Sequence, residues 1–142
     1  MIVLDTSGSV YKAFADEREF AKGLIQSINS SAFVDGRLQV GLIRFSSAPS
    51  IVIPFSRNRT QDEIVEKISE IEFTGQSTRI AAAVDLAIAE LETARRKDAT
   101  QVFILISDGH GQEYWSVVQA TGKKLQSIDA EVFSATTSQD YN

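Results

Sequence analysis

The sequence predicts a doubly wound α/β domain, with a mostly parallel sheet, one antiparallel edge strand and helices on both faces. Three observations carry that expectation. Short apolar runs alternate with longer stretches of helical periodicity along the whole chain. Val102-Phe103-Ile104-Leu105-Ile106 is apolar at every position, as a central parallel strand buried on both faces should be. Two strand-like stretches are joined only by Ser46-Ser47-Ala48-Pro49, which permits an antiparallel hairpin and leaves no room for a crossover helix.

The elements follow in chain order. Ile2-Val3-Leu4 is a short strand ending at Asp5. Phe14, Ala21, Leu24, Ile25 and Ile28 keep helical spacing, and the charged run Asp16-Glu17-Arg18-Glu19 between them reads as a solvated face. Asn29-Ser30-Ser31 and Asp35-Gly36 break that helix. Leu38, Val40, Leu42, Ile43 and Phe45 form a second strand, and Ile51, Ile53 and Phe55 a third, whose Pro54 suits a sheet edge. Thr60-Gln61-Asp62-Glu63 has the capping-box pattern ahead of Ile64, Ile68 and Ile71. A long helix carries Ile80, Ala83, Val84, Ala87, Ile88 and Leu91 inward, with Arg95-Arg96-Lys97 complementing its C-terminal dipole. After the central strand, Trp115, Val118, Gly122, Leu125 and Ile128 mark a further helix, with Trp115 expected in the core. Glu131 to Ala135 is the last strand. The order is β-α-β-β-α-α-β-α-β, with no repeat and no linker.

Composition bounds the function. The 142 residues fit one domain, expected to span 1–142. Cys is absent, which excludes thiolate chemistry and Cys-type zinc or iron–sulfur sites within this chain. With 14 Lys+Arg against 19 Asp+Glu, the net charge of −5 and the lack of a basic run argue against nucleic acid. No apolar stretch is long enough to insert in a membrane.

In an open α/β sheet, ligands bind beyond the carboxyl ends of the strands. Three polar segments fall there: Asp5-Thr6-Ser7-Gly8-Ser9 after the first strand, Thr78 before the long helix, and Ser107-Asp108-Gly109 after the central strand. Each alone has a plain reading as a cap or turn. Together they offer two carboxylates and three hydroxyls, an all-oxygen set suited to Mg²⁺, or to Mn²⁺ or Ca²⁺, in preference to zinc or copper. Asp5, Ser7 and Ser9 alternate along a tight loop, so their side chains can converge while Gly8 permits the turn. With about five protein oxygens, a six-coordinate ion keeps one open position.

This constellation resembles the von Willebrand factor type A domain, also called the integrin I-like domain, and its metal-ion-dependent adhesion site. Val40-Gly41-Leu42-Ile43-Arg44-Phe45-Ser46 and Ile104-Leu105-Ile106-Ser107-Asp108-Gly109 are similar to family patterns as well, so the resemblance covers essentially the whole chain. It implies a metal held by Ser7, Ser9 and Thr78, with Asp5 and Asp108 nearby and partly acting through water. It also implies an open position that takes an Asp or Glu carboxylate from a partner protein. Only the two aspartates offset the ion's charge, so the metal stays electrophilic enough to favour an incoming carboxylate. Thr6 is a mild departure whose side chain should point away. The family commonly carries a further strand and helix beyond Thr137, so the chain is expected to be a fragment truncated at its C-terminus, leaving Val132-Phe133 less covered than usual.

Gln76, Arg79 and His110 are candidates for the rim of the site. Arg79 would either bind an acidic partner or repel cations, and a lone loop His110 is more simply solvated. Tyr114 and Trp115 could serve an interface as aromatic anchors. A hydrolase triad of Ser7, His110 and Asp108 lacks the Gly-x-Ser-x-Gly context, so no enzyme is expected. Asn29 and Asn58 each head a glycosylation sequon, favouring an extracellular or cell-surface setting. The expected function is therefore metal-dependent protein binding in adhesion or extracellular-matrix assembly. The alternatives are a structural interaction domain with a vestigial metal site and an intracellular assembly module.

Overall fold

In the computed structural model the described residues are 1–55, 59–94, 96, 98–107, 111 and 113–136, with the side chain of Ser9 excluded. The five strands are β1 (Ile2–Asp5), β2 (Leu42–Phe45), β3 (Pro49–Ile53), β4 (Val102–Ile106) and β5 (Glu131–Ala135). Between them, among the described residues, lie the helices α1 (Phe14–Gln26), α2 (Ser31–Val34), α3 (Gln61–Ser69), α4 (Ile80–Ala94) and α5 (Trp115–Ser127). The sheet order is β3-β2-β1-β4-β5, with β2–β3 antiparallel and the other pairs parallel. The predicted mixed open sheet is therefore present, with its antiparallel pair at one edge.

Strand alternation divides the core. Ile2 and Leu4 of β1 join Leu42, Ile53 and Ile106 beneath α1 and α3, where Phe14, Ala21, Ile25, Ile64 and Ile68 are buried. Val3 points the other way, with Ile43, Phe45 and Phe103, under the Ala83, Val84, Ala87, Ile88 and Leu91 face of α4. One period-2 strand thus feeds two helix layers. The capping box forms in both directions, with Thr60 Oγ1 accepting from Glu63 N and Glu63 Oε2 from Thr60 N.

Several local expectations shift. The second strand begins at Leu42, not Leu38, although Val40 is buried and Gly41 still accepts a bond from Ile2 N at 2.9 Å. The third strand runs from Pro49 to Ile53, leaving Pro54 and Phe55 beyond it. A single helical turn, α2, forms where only a break was expected. Glu17 is fully buried rather than solvated, because it shares the inward face of α1 with Phe14, Ala21 and Ile25. Of the basic run after α4, Arg95 and Lys97 lie outside the described residues, and Arg96 donates to Gly36 O and Arg37 O.

Trp115 is the clearest correction: it is 72% exposed. The helix turns Thr121, Leu125 and Ile128 inward instead, with Thr121 Oγ1 donating to Asp85 Oδ1 at 3.2 Å and Lys124 pairing with Asp85. Among the described residues, no helix is long and apolar enough to cross a membrane.

Candidate metal centre

Parallel pairing brings the carboxyl ends of β1, β2 and β4 to one rim of the sheet, and Asp5 ends β1 beside Phe45. Ser7 follows in extended conformation and leads into a 3₁₀ turn over Gly8–Val10. The tight loop expected over Asp5 to Ser9 thus takes the form of a short 3₁₀ turn.

Asp5, Ser7 and Thr78 are fully buried and meet one another. Ser7 Oγ donates to Asp5 Oδ1 at 2.5 Å, and Ser7 N donates to the same oxygen at 2.8 Å. Ser7 Oγ also lies 2.6 Å from Thr78 Oγ1, in hydrogen-bond contact. Ser107 Oγ donates to Asp5 Oδ2 at 2.7 Å, holding the second carboxylate oxygen. The result is a chain of short hydrogen bonds running Thr78 to Ser7 to Asp5, with Ser107 on the far side.

Neighbouring loops are fixed by a second set of bonds. Thr6 Oγ1 turns away from the cluster, donating to Phe45 O and lying 2.7 Å from Thr74 Oγ1. Thr74 N and Gly75 N donate to Thr6 O at 3.0 and 3.1 Å, and Gly8 N donates to Gln76 O at 3.0 Å. Gly8 is required for space, not for an unusual φ, because a Cβ there would stand 3.1 Å from Gln76 O. Gln76 itself adopts φ +69°, and its Oε1 accepts from Ser47 Oγ. Arg79 is exposed, its backbone N–H donating to Ser46 O.

The donor set fits a hard divalent ion. Its oxygens come from one carboxylate and neutral hydroxyls, and among the described residues no group of three His, Cys, Asp or Glu competes as a metal cluster. Adjacent oxygens around a small octahedral ion stand about 3 Å apart. The observed 2.5 and 2.6 Å contacts are a few tenths shorter, because protons bridge these oxygens. A cation would supply the same bridging charge with a slight spreading of the cluster.

The structure therefore brings together Asp5, Ser7 and Thr78 from the expected set. The Ser9 side chain, Asp108, His110 and Asn58 lie outside the described residues. Two polar residues were missed from sequence. Ser107 orients Asp5, and its place directly before Asp108 was the available signal. Glu113 accepts from Ala81 N at 2.6 Å and Ala82 N at 3.0 Å, capping α4 from 32 and 31 residues away. Beside the cluster, exposed Tyr11 stacks edge-on against Phe73 with centroids 5.6 Å apart.

The von Willebrand factor type A domain family matches residues 1–142. Von Willebrand factor A domain-containing protein 2 of Mus musculus is 28% identical over 94% of this chain. Integrin alpha-11 of Homo sapiens is 32% identical over 80% of it. The matches span only 16% and 9% of those relatives' lengths. Among solved structures, proximal thread matrix protein 1 from the mussel byssus, with a zinc-occupied MIDAS motif, superposes with TM-score 0.79. Identity there is 22%, over 95% of this chain and 36% of that one, so the likeness concerns the fold. With the mixed open sheet, the rim of buried oxygens and the full-length family match in agreement, the chain belongs to the von Willebrand factor type A domain family.

Proposed function

We propose that this domain is a metal-dependent protein-binding module of an extracellular or cell-surface protein, serving adhesion or matrix assembly. The observation that carries the reading is the buried, all-oxygen cluster of Asp5, Ser7 and Thr78 at the carboxyl rim of the sheet. These three would hold a divalent ion, with Ser9 and Asp108 as the remaining ligands. When bound, the ion offers a Lewis-acidic position to an Asp or Glu carboxylate of the partner protein. The chain's own residues prepare that position: Ser107 and the Ser7 N–H fix both oxygens of Asp5, and the Thr6–Thr74 contacts hold the two loops in register. Gln76 and Arg79 stand at the rim, with Tyr11 and Phe73 as apolar surface beside it.

Mg²⁺ or Mn²⁺ suits the donor chemistry best. The zinc in the mussel protein's motif is reason to include Zn²⁺ in the test. The reading is not enzymatic, in keeping with the adhesion and matrix relatives of the family. An extracellular setting is supported by adhesion and matrix relatives, an integrin and a collagen VI chain among them. Exposed Asn29, whose Oδ1 accepts from Ser31 N, is a reachable glycan acceptor. Glycan on Asn29 in native material, read by mass spectrometry, is the expected result.

The deciding experiment is calorimetric titration with Mn²⁺, Mg²⁺ and Zn²⁺, together with a matrix-protein pull-down, for wild type and Asp5→Ala. Ion binding and metal-dependent capture should both vanish in Asp5→Ala; unchanged binding would overturn the reading. A second reading, partner contact through apolar surface with no metal role, is favoured by the exposure of Val132 and Phe133. It predicts capture that persists in EDTA.

A further inference from the structure

We infer that Glu113 is a positioning residue for the metal centre: its carboxylate caps α4 and cancels the positive helix end that faces the ion. This rests on the metal reading above. The chain enters α4 directly after Thr78, with only Arg79 between Thr78 and the first helical residue, Ile80. A helix N-terminus carries roughly half a positive charge from its unpaired N–H groups. A cation held on Thr78 therefore lies at the wrong end of the α4 dipole. The helix has no acidic residue in its own first turn to relieve this.

Glu113 supplies the missing charge from another element. Its two carboxylate oxygens take one N–H each, from Ala81 at 2.6 Å and Ala82 at 3.0 Å. Gly111, two residues earlier, comes so close to α4 that a Cβ there would stand 3.3 Å from Ile80 Cδ1. Gly111 and Glu113 are thus docked on the first turn of α4, one by shape and the other by charge. Ser107 and Glu113 act on the same site, because Ser107 holds Asp5 while Glu113 holds the helix that follows Thr78. Glu113 does not need to touch the ion to act on it; its charge and its grip on α4 both favour a cation on Thr78.

The test separates charge from shape. Mn²⁺ affinity by calorimetry and Tm in EDTA by circular dichroism are measured for wild type, Glu113→Gln and Glu113→Asp. Glu113→Gln keeps the shape and one acceptor oxygen but loses the charge, and it should bind Mn²⁺ about three- to tenfold more weakly. Glu113→Asp keeps the charge on a shorter stem and should bind Mn²⁺ more tightly than Glu113→Gln, even where its Tm in EDTA is the lower of the two. Glu113→Gln binding as tightly as wild type, or more tightly than Glu113→Asp, would overturn the inference and leave Glu113 a helix cap alone. If Glu113→Gln does not fold in EDTA, Glu113→Asp decides, with affinity within about twofold of wild type expected and a larger loss overturning the inference. Wild type that binds no Mn²⁺ would overturn the metal reading itself, and this inference with it.

Discussion

Phe45 in β2 and Phe133 in β5 are the same residue in parallel strands of the same sheet, and their surroundings are opposite. Phe45 is fully buried beneath α4, whose Ala83, Val84 and Ala87 allow close packing. Phe133 is 54% exposed, and Val132 beside it 47%. Register does not explain the difference, since β5 pairs with β4 over five residues, Val102↔Glu131 to Ile106↔Ala135. Pairing buries backbone, whereas side chains are buried only where another layer lies above them. The flank of β1 and β2 is a finished core, and the flank of β5 is a paired edge still presenting apolar surface.

The largest effect should separate these two phenylalanines. Phe45→Ala should cost about 3–5 kcal/mol in urea unfolding, the range for deleting a large buried aromatic, while Phe133→Ala should cost less than about 1. Equal losses would show that β5 is covered in solution and would erase the contrast. Gly8→Ala probes the crowded side at the metal rim. Its Cβ would press on the Gln76 carbonyl, a backbone atom that yields only if the loop moves. A stability loss of about 1–3 kcal/mol is expected, with weaker Mn²⁺ binding by calorimetry.

The smallest change in stability belongs to Phe133→Ser, less than about 1 kcal/mol as for Phe133→Ala, accompanied by reduced self-association in light scattering.

Much of the organisation was legible because its signals are local. The capping box at Thr60 and Glu63, the apolar run of β4 and the short Ser46–Pro49 link each act within a few residues. The cluster was legible for a related reason: Asp5 and Ser7 are neighbours in sequence, and the sheet rim is where Thr78 had to arrive. Trp115 misled because hydrophobicity alone does not choose which face of a helix meets its neighbour. Here Asp85, reaching Thr121 and Lys124, fixes the rotation of α5. Glu113 was invisible because a cap supplied from 31 residues away leaves no spacing to read; the absence of an acid in the first turn of α4 was its only trace. Glu17 shows the same limit from the other side, since a charged run gave no warning that one member faces the core.

The bonds that define the cluster join residues far apart in the chain, Ser7 with Thr78 across 71 positions and Asp5 with Ser107 across 102. Closing loops of that length costs chain entropy, so these bonds are expected to form after the strands that carry them have paired. An ion that recognises the assembled cluster can therefore do little to speed folding, because its ligands are still apart in the transition state. It should instead slow unfolding, lengthening the lifetime of the native domain in proportion to ion occupancy while the refolding rate stays unchanged.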